Sequence, residues 1–132
     1  MEMDQKRNAE HYPDPTAYQA IRNTEPPRFP FRPIVYVCSP YAGDVEGNIL
    51  RARRCCRYAA DQGCIPLAPH LLLPQFLDER TERDLALFMG IALLSKCAEL
   101  WVFGETISPG MELEIQQARK KGKPIKYINE VI

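Results

Sequence analysis

The chain has 132 residues, enough for one domain around one core and too few to add a second catalytic domain. Composition is that of a globular protein, 45% hydrophobic and 26% charged, and Lys+Arg 17 balances Asp+Glu 17, which argues against nucleic-acid binding by bulk positive charge. The first seven residues lack the apolar segment of a secretory signal, and the longest apolar run, 85–94, is too short to span a bilayer. A cytoplasmic protein is expected, with neither a membrane nor a nucleic acid as partner.

Five cysteines, Cys38, Cys55, Cys56, Cys64 and Cys97, show no C-x-x-C spacing and no nearby histidine pair. Cys55 and Cys56 leave a helix on different sides and cannot share one metal, so reduced, mostly buried thiols and no metal site are expected.

Six of the 12 prolines fall within the first 33 residues, at Pro13, Pro15, Pro26, Pro27, Pro30 and Pro33. Residues 1–33 read as a proline-rich arm and 34–132 as the domain. In the arm, Asp14-Pro15 makes a helix start and Ala17, Tyr18 and Ile21 a short apolar stripe, suited to docking on the domain or on a second subunit. Pro26-Pro27-Arg28-Phe29-Pro30 runs extended.

Ile34-Val35-Tyr36-Val37-Cys38 is a continuous β-branched and apolar run, the pattern of a parallel strand buried on both faces. Turn residues follow, Ser39-Pro40-Tyr41-Ala42-Gly43-Asp44, where Asp44 would repel a phosphate. Residues 45–62 have helical spacing, with Ile49, Cys56 and Ala59 or Ala60 turned inward. Strand, small-residue loop and helix are in the order used by nucleotide-binding α/β folds. Neither G-x-G-x-x-G nor G-x-x-x-x-G-K-[ST] is present, and Arg51, Arg53, Arg54 and Arg57 suit a solvated face better than a phosphate site.

Gly63 closes that helix, and 64–68 reads as a second strand with Pro69 and His70 at its carboxyl end, where open α/β sheets bind ligands. Residues 71–77 form an apolar connection, a lid or an interface. Thr81-Glu82-Arg83-Asp84 opens a helix running to Ser95 and apolar on nearly all sides, hence buried. Asp84 either completes a capping box with Thr81 or, in register with Phe88 and Ile91, points inward.

Leu100-Trp101-Val102-Phe103-Gly104 is a third strand. Ser108 then caps a helix with Pro109 at its first position. On this helix Met111, Glu114, Ile115 and Ala118 share one face, so Glu114 is a carboxylate on the inward side, where burial is costly without a partner or a use. Glu112 lies on the wet face. Lys120-Lys121-Gly122 ends the helix, and 125–128 is the last strand. About four to five strands alternating with helices predict a small doubly wound parallel sheet of Rossmann or flavodoxin type, helices on both faces. In it, loops 39–44 and 108–114 meet at the carboxyl edge.

Tyr36-Val37-Cys38-Ser39-Pro40-Tyr41, an acid in the middle helix, and Ser108-x-Gly110-x-x-x-Glu114-x-x-x-Ala118 leading to Gly122-Lys123-Pro124 together resemble the nucleoside 2-deoxyribosyltransferase superfamily. The sequence is similar in particular to its small phage and bacterial domains. The resemblance spans 34–128. It implies Glu114 as nucleophile, Tyr36 as the tyrosine that orients it, and Asp84 as the acid exchanging a proton with the nucleobase. It also implies Ser39, Pro40, Tyr41 and Gly43 as the substrate loop, Ser108 and Gly110 as the helix end that meets sugar hydroxyls or a 5′-phosphate, and His70 beside them. The implied chemistry is cleavage or transfer of an N-glycosidic bond through a glycosyl ester, without metal or other cofactor, on a small-molecule nucleoside or nucleotide. A homo-oligomer is implied as well. The alternative is a non-catalytic nucleotide-binding or protein-interaction module on the same fold. A cytokinin-activating phosphoribohydrolase is disfavoured by the missing P-G-G-x-G-T loop.

Overall fold

A computed structural model describes residues 28–129. The expected helix near Asp14-Pro15 and the Pro26-Pro27 pair lie outside the described residues, as does most of the arm. Strand β1 (Ile34–Cys38) is followed by α1 (Val45–Asp61), β2 (Ile65–Leu67), a one-turn helix α2 (Pro69–Leu72) and a 3-10 turn (Leu73–Gln75). Helix α3 (Arg83–Ser95), β3 (Glu99–Phe103), α4 (Pro109–Lys120) and β4 (Ile125–Ile128) complete the domain. The four strands are all parallel, in the order β2-β1-β3-β4, so the chain winds outward both ways from β1. This is the doubly wound, Rossmann-like α/β arrangement expected. Its topological switch point lies between β1 and β3, where open sheets of this order leave a crevice beyond the strand carboxyl ends.

The alternation of β1 and β3 sorts their side chains into two layers. Val35, Val37, Trp101 and Phe103 pack with Cys55 and Ala59 of α1 on one face. Tyr36, Cys38, Leu100 and Val102 pack with Leu94 of α3 and Met111, Ile115 and Ala118 of α4 on the other. Gly63 and Gly122, at φ +89° and +69°, take the left-handed conformation just past α1 and α4 that only glycine adopts cheaply. Arg32 holds the end of α1, donating from Nη1 to the Ala60 and Cys64 carbonyls at 3.0 and 3.1 Å.

Two helix faces differ from expectation. On α1 the buried residues are Ala52, Cys55 and Ala59, while Ile49 and Cys56 are only partly covered. With Cys55 and Cys56 adjacent, apolar character alone left the rotation of the helix open. On α3 only Gly90 and Leu94 are buried; Leu85 is 40%, Leu87 42% and Phe88 70% exposed. A helix apolar all round has its outer side left uncovered in this chain. Its start also differs: Glu82 is the N-cap without a side-chain cap bond, and the Thr81–Asp84 capping box does not form. Instead Glu82 Oε1 accepts from the Asp78 N–H at 2.8 Å and the Asp78 carbonyl accepts from the Glu82 N–H at 2.9 Å, which pins the preceding turn. The cysteines are free thiols, four buried and Cys56 partly so. Among the described residues no helix is long and apolar enough to cross a membrane.

Candidate active site

Ser108 caps α4, its Oγ accepting from the Met111 N–H at 3.2 Å, with Pro109 at the first helical position. One and a half turns on, Glu114 projects back along the helix toward β1. There the Tyr36 hydroxyl donates to Glu114 Oε2 at 2.6 Å, a charge-assisted bond between residues 78 apart in sequence. The Cys38 thiol, two residues along the same face of β1, also adjoins this carboxylate and lies 3.8 Å from the Met111 carbonyl. Glu114 Oε1 is buried without a hydrogen-bond partner among the described residues.

Burial pushes the Glu114 carboxyl up to about 7, although the Tyr36 and Cys38 hydrogen bonds favour its ionised form. Desolvation thus wins over the helix dipole, whose effect fades beyond the first turn. The Tyr36 phenol is raised well above its usual range, first by burial and then by the neighbouring Glu114 charge, so it stays a donor. Burial and the same carboxylate also raise the Cys38 thiol.

Glu114 and Tyr36 line a cavity of about 320 Å³ at the switch point, within the size range of small-molecule sites. The 39–44 loop and the start of α4, residues 108–114, converge there as expected: Ser39, Tyr41, Ser108 and Gly110 all line it, and so does His70. The His70 ring stacks on Tyr41, centroids 5.9 Å apart and planes 26° apart, and its Nε2 lies 3.4 Å from the Ser39 hydroxyl. Burial lowers its pKa to about 4, so the ring is neutral at physiological pH. Leu73, Ala86, Leu87, Ile91 and Leu113 supply apolar wall.

Three of the expected substrate or acid positions fall elsewhere. Pro40 and Gly43 belong to the loop without lining the cavity, and Gly43 turns at φ +92° with open space around it. Asp84 is exposed and off the cavity. The cause is helical phase: Arg83, Ala86, Leu87, Gly90, Ile91 and Leu94 form the side of α3 that lines the cavity, and Asp84 sits one step round from Arg83. The carboxyl group that lines the cavity from this side is Glu79, in the turn before the helix.

Two functions of nearby residues were not legible. Asp44 is the N-cap of α1, accepting from the Gly47 N–H at 3.2 Å, rather than a group facing the cavity. Asn48 clamps the loop, its Nδ2 donating to the Tyr41 and Ala42 carbonyls at 3.1 and 2.9 Å. A polar side chain in the first turn of a helix, seven residues after an aromatic, is the only sequence signal for that clamp. Arg51, Arg53, Arg54 and Arg57 do not line the cavity; the last three are exposed and Arg57 pairs with Asp61 at 3.2 Å. Arg51 packs over Gly104, where a Cβ would collide with its guanidinium. Among the described residues no group of three or more His, Cys, Asp or Glu is placed to hold a metal.

A family model for a domain of unknown function (DUF7768) matches residues 33–128. The fold is similar to that of a 2-deoxyribosyltransferase from the psychrotolerant bacterium Bacillus psychrosaccharolyticus, described as a biocatalyst for the synthesis of antiviral and antitumoral nucleosides. The TM-score is 0.53 at 16% identity, over 75% of this chain and 76% of that one, a likeness of fold. No curated protein matches the sequence.

Proposed function

The chain belongs to the DUF7768 family, and we propose that it cleaves or transfers the N-glycosidic bond of a nucleoside or nucleotide, with Glu114 as nucleophile. The observation that carries this reading is the buried Tyr36–Glu114 pair in the wall of a cavity at the switch point, with one carboxylate oxygen held and the other unpartnered. Such an oxygen suits attack on a carbon in a partly dry site. The fold likeness to a 2-deoxyribosyltransferase is consistent with it.

In this mechanism Tyr36 fixes Oε2 and leaves Oε1 to attack the anomeric carbon. As the new C–O bond forms, the C–N bond breaks through an oxocarbenium-like state, and its electron pair leaves on the base nitrogen. Glu79, the second carboxyl group lining the cavity, gives that nitrogen its proton in the role expected of Asp84. Water then opens the glycosyl ester to a free sugar, or the nitrogen of a second base opens it to an exchanged nucleoside. Glu79 takes back the proton, and Glu114 leaves as carboxylate. Only ionised Glu114 attacks, so the fraction of competent nucleophile rises with pH through about 7, while the same step needs Glu79 to carry its proton.

The uncovered apolar side of α3, with Phe88 at its centre, supports association with a second copy of the chain. Sedimentation showing monomer alone at every concentration tested would remove that part.

The decisive test is chromatography of free base released from deoxynucleosides, ribonucleosides and their monophosphates, with and without an acceptor base. Release should occur with the native chain and fall at least about a thousandfold in Glu114→Gln, a catalytic nucleophile lost without change of shape. Acceptor dependence separates transfer from hydrolysis. Binding without turnover anywhere in the panel would favour the non-catalytic module instead.

A further inference from the structure

The cavity has an unusual balance of donors and acceptors. Glu114 Oε1 is a buried acceptor that no group among the described residues satisfies, and a ligand that completes its ionised form must bring a donor. A sugar hydroxyl does so, in a nucleoside and in its 5′-monophosphate alike. A phosphate dianion adds only acceptors and charge, so what separates the two is the cavity's provision for an anion.

The one element that ordinarily receives phosphate is largely spent. The N-terminus of α4 opens onto the cavity, and a helix start binds anions through its free N–H groups. Pro109 has no N–H, and that of Met111 is taken by Ser108 Oγ, so of residues 109–111 only Gly110 keeps a donor. With the N–H of Ser108 itself, two backbone donors remain, enough for hydroxyl or carbonyl oxygens, whereas a phosphate cradle uses several.

Charge points the same way. Among the described residues Arg83 is the only lysine or arginine lining the cavity, and it is exposed at the rim that Glu79 also lines. His70 is neutral there, and the four arginines of α1 lie elsewhere.

We propose that the cavity takes an uncharged nucleoside, held through its sugar hydroxyls by Glu114 and the Gly110 N–H, and rejects the 5′-monophosphate of the same nucleoside. This rests on the glycosidic reading of the site and selects within it.

The test is titration calorimetry of the full chain with a panel of deoxynucleosides, each nucleoside's 5′-monophosphate, and inorganic phosphate. The nucleoside that binds best should bind at least tenfold tighter than its monophosphate, and inorganic phosphate should give no heat. Pro109→Ala restores one N–H donor at the helix start, and should raise monophosphate affinity severalfold while leaving nucleoside affinity unchanged. A monophosphate that binds the native chain as tightly as the nucleoside, or more so, overturns the proposal, and loss of that affinity in Arg83→Ala would assign the phosphate to the rim. If neither ligand binds while circular dichroism shows a folded chain, the glycosidic reading itself fails and this selection goes with it. Turnover assays report that larger failure independently of the affinity ratio.

Discussion

The two faces of the sheet are built from the same two strands and do opposite things. On the α1 face, Trp101 and Phe103 stack edge-on with Tyr58, centroids 6.3 and 6.1 Å from it, and Lys126 lies 4.5 Å over the indole. There the indole N–H donates to Glu99 Oε1 at 2.8 Å, and the ring bodies close the layer. On the other face β1 contributes Tyr36 and Cys38, and they meet a carboxylate that burial holds near half-ionised. One face spends its side chains on stability. Its partner keeps an unsatisfied acid beside an open cavity, the kind of local cost that functional sites carry.

If that division is real, damage to each face should register in a different measurement. Trp101→Ala should lower unfolding free energy by about 4 kcal/mol, as loss of a buried aromatic does. Urea titration reads it, and substrate affinity of the remaining folded protein should hold.

The active face should show itself next as an opposed pair of pH effects. Glu114, raised from 4.5 to about 7, contributes stability below pH 4.5 that is lost as pH rises through 7. His70, lowered from 6.5 to about 4, contributes stability above pH 6.5 that is lost as pH falls through 4. Each is worth about 3 kcal/mol, and between pH 4.5 and 6.5 they oppose each other. Relative to the native chain, Glu114→Gln should therefore gain stability with rising pH over 4.5–7, and His70→Asn should lose it over 4–6.5. Urea midpoints measured across pH 4–7.5 would reveal both; parallel curves for all three proteins would break the comparison.

Smaller effects sharpen it. Tyr36→Phe removes a hydrogen bond to a charged group, about 2 kcal/mol, so turnover should fall between tenfold and a hundredfold. Because that bond favours the carboxylate, the acidic limb of the pH–rate profile should also move to higher pH. Least of all, Asn48→Ala frees the loop carrying Tyr41, and should raise KM severalfold, about 1 kcal/mol, with kcat nearly retained.

Much of this arrangement can be read from the residues. The bounds of β1 and β4 follow from their apolar runs, and the inward placement of Glu114 follows from its spacing to Met111, Ile115 and Ala118. Strong periodic signals behave this way because burial enforces them. Asp84 carries no such signal, because α3 is apolar on nearly every side and its periodicity does not say which side faces the cavity. Glu79 sits in a turn with no period at all. Asn48 acts on main-chain carbonyls, which one sequence cannot show.

The alternation of β1 has a consequence for how this protein can change over time. A substitution in the strand alters one contact, but insertion or deletion of a single residue within it exchanges the two layers at once. The phenol would enter the aromatic layer and a valine would lie beneath Glu114. The setting of Glu114 thus depends on a count as much as on any neighbour. Loops at either end of β1 can vary in length across descendants of this domain, while the five residues between them are held to their number.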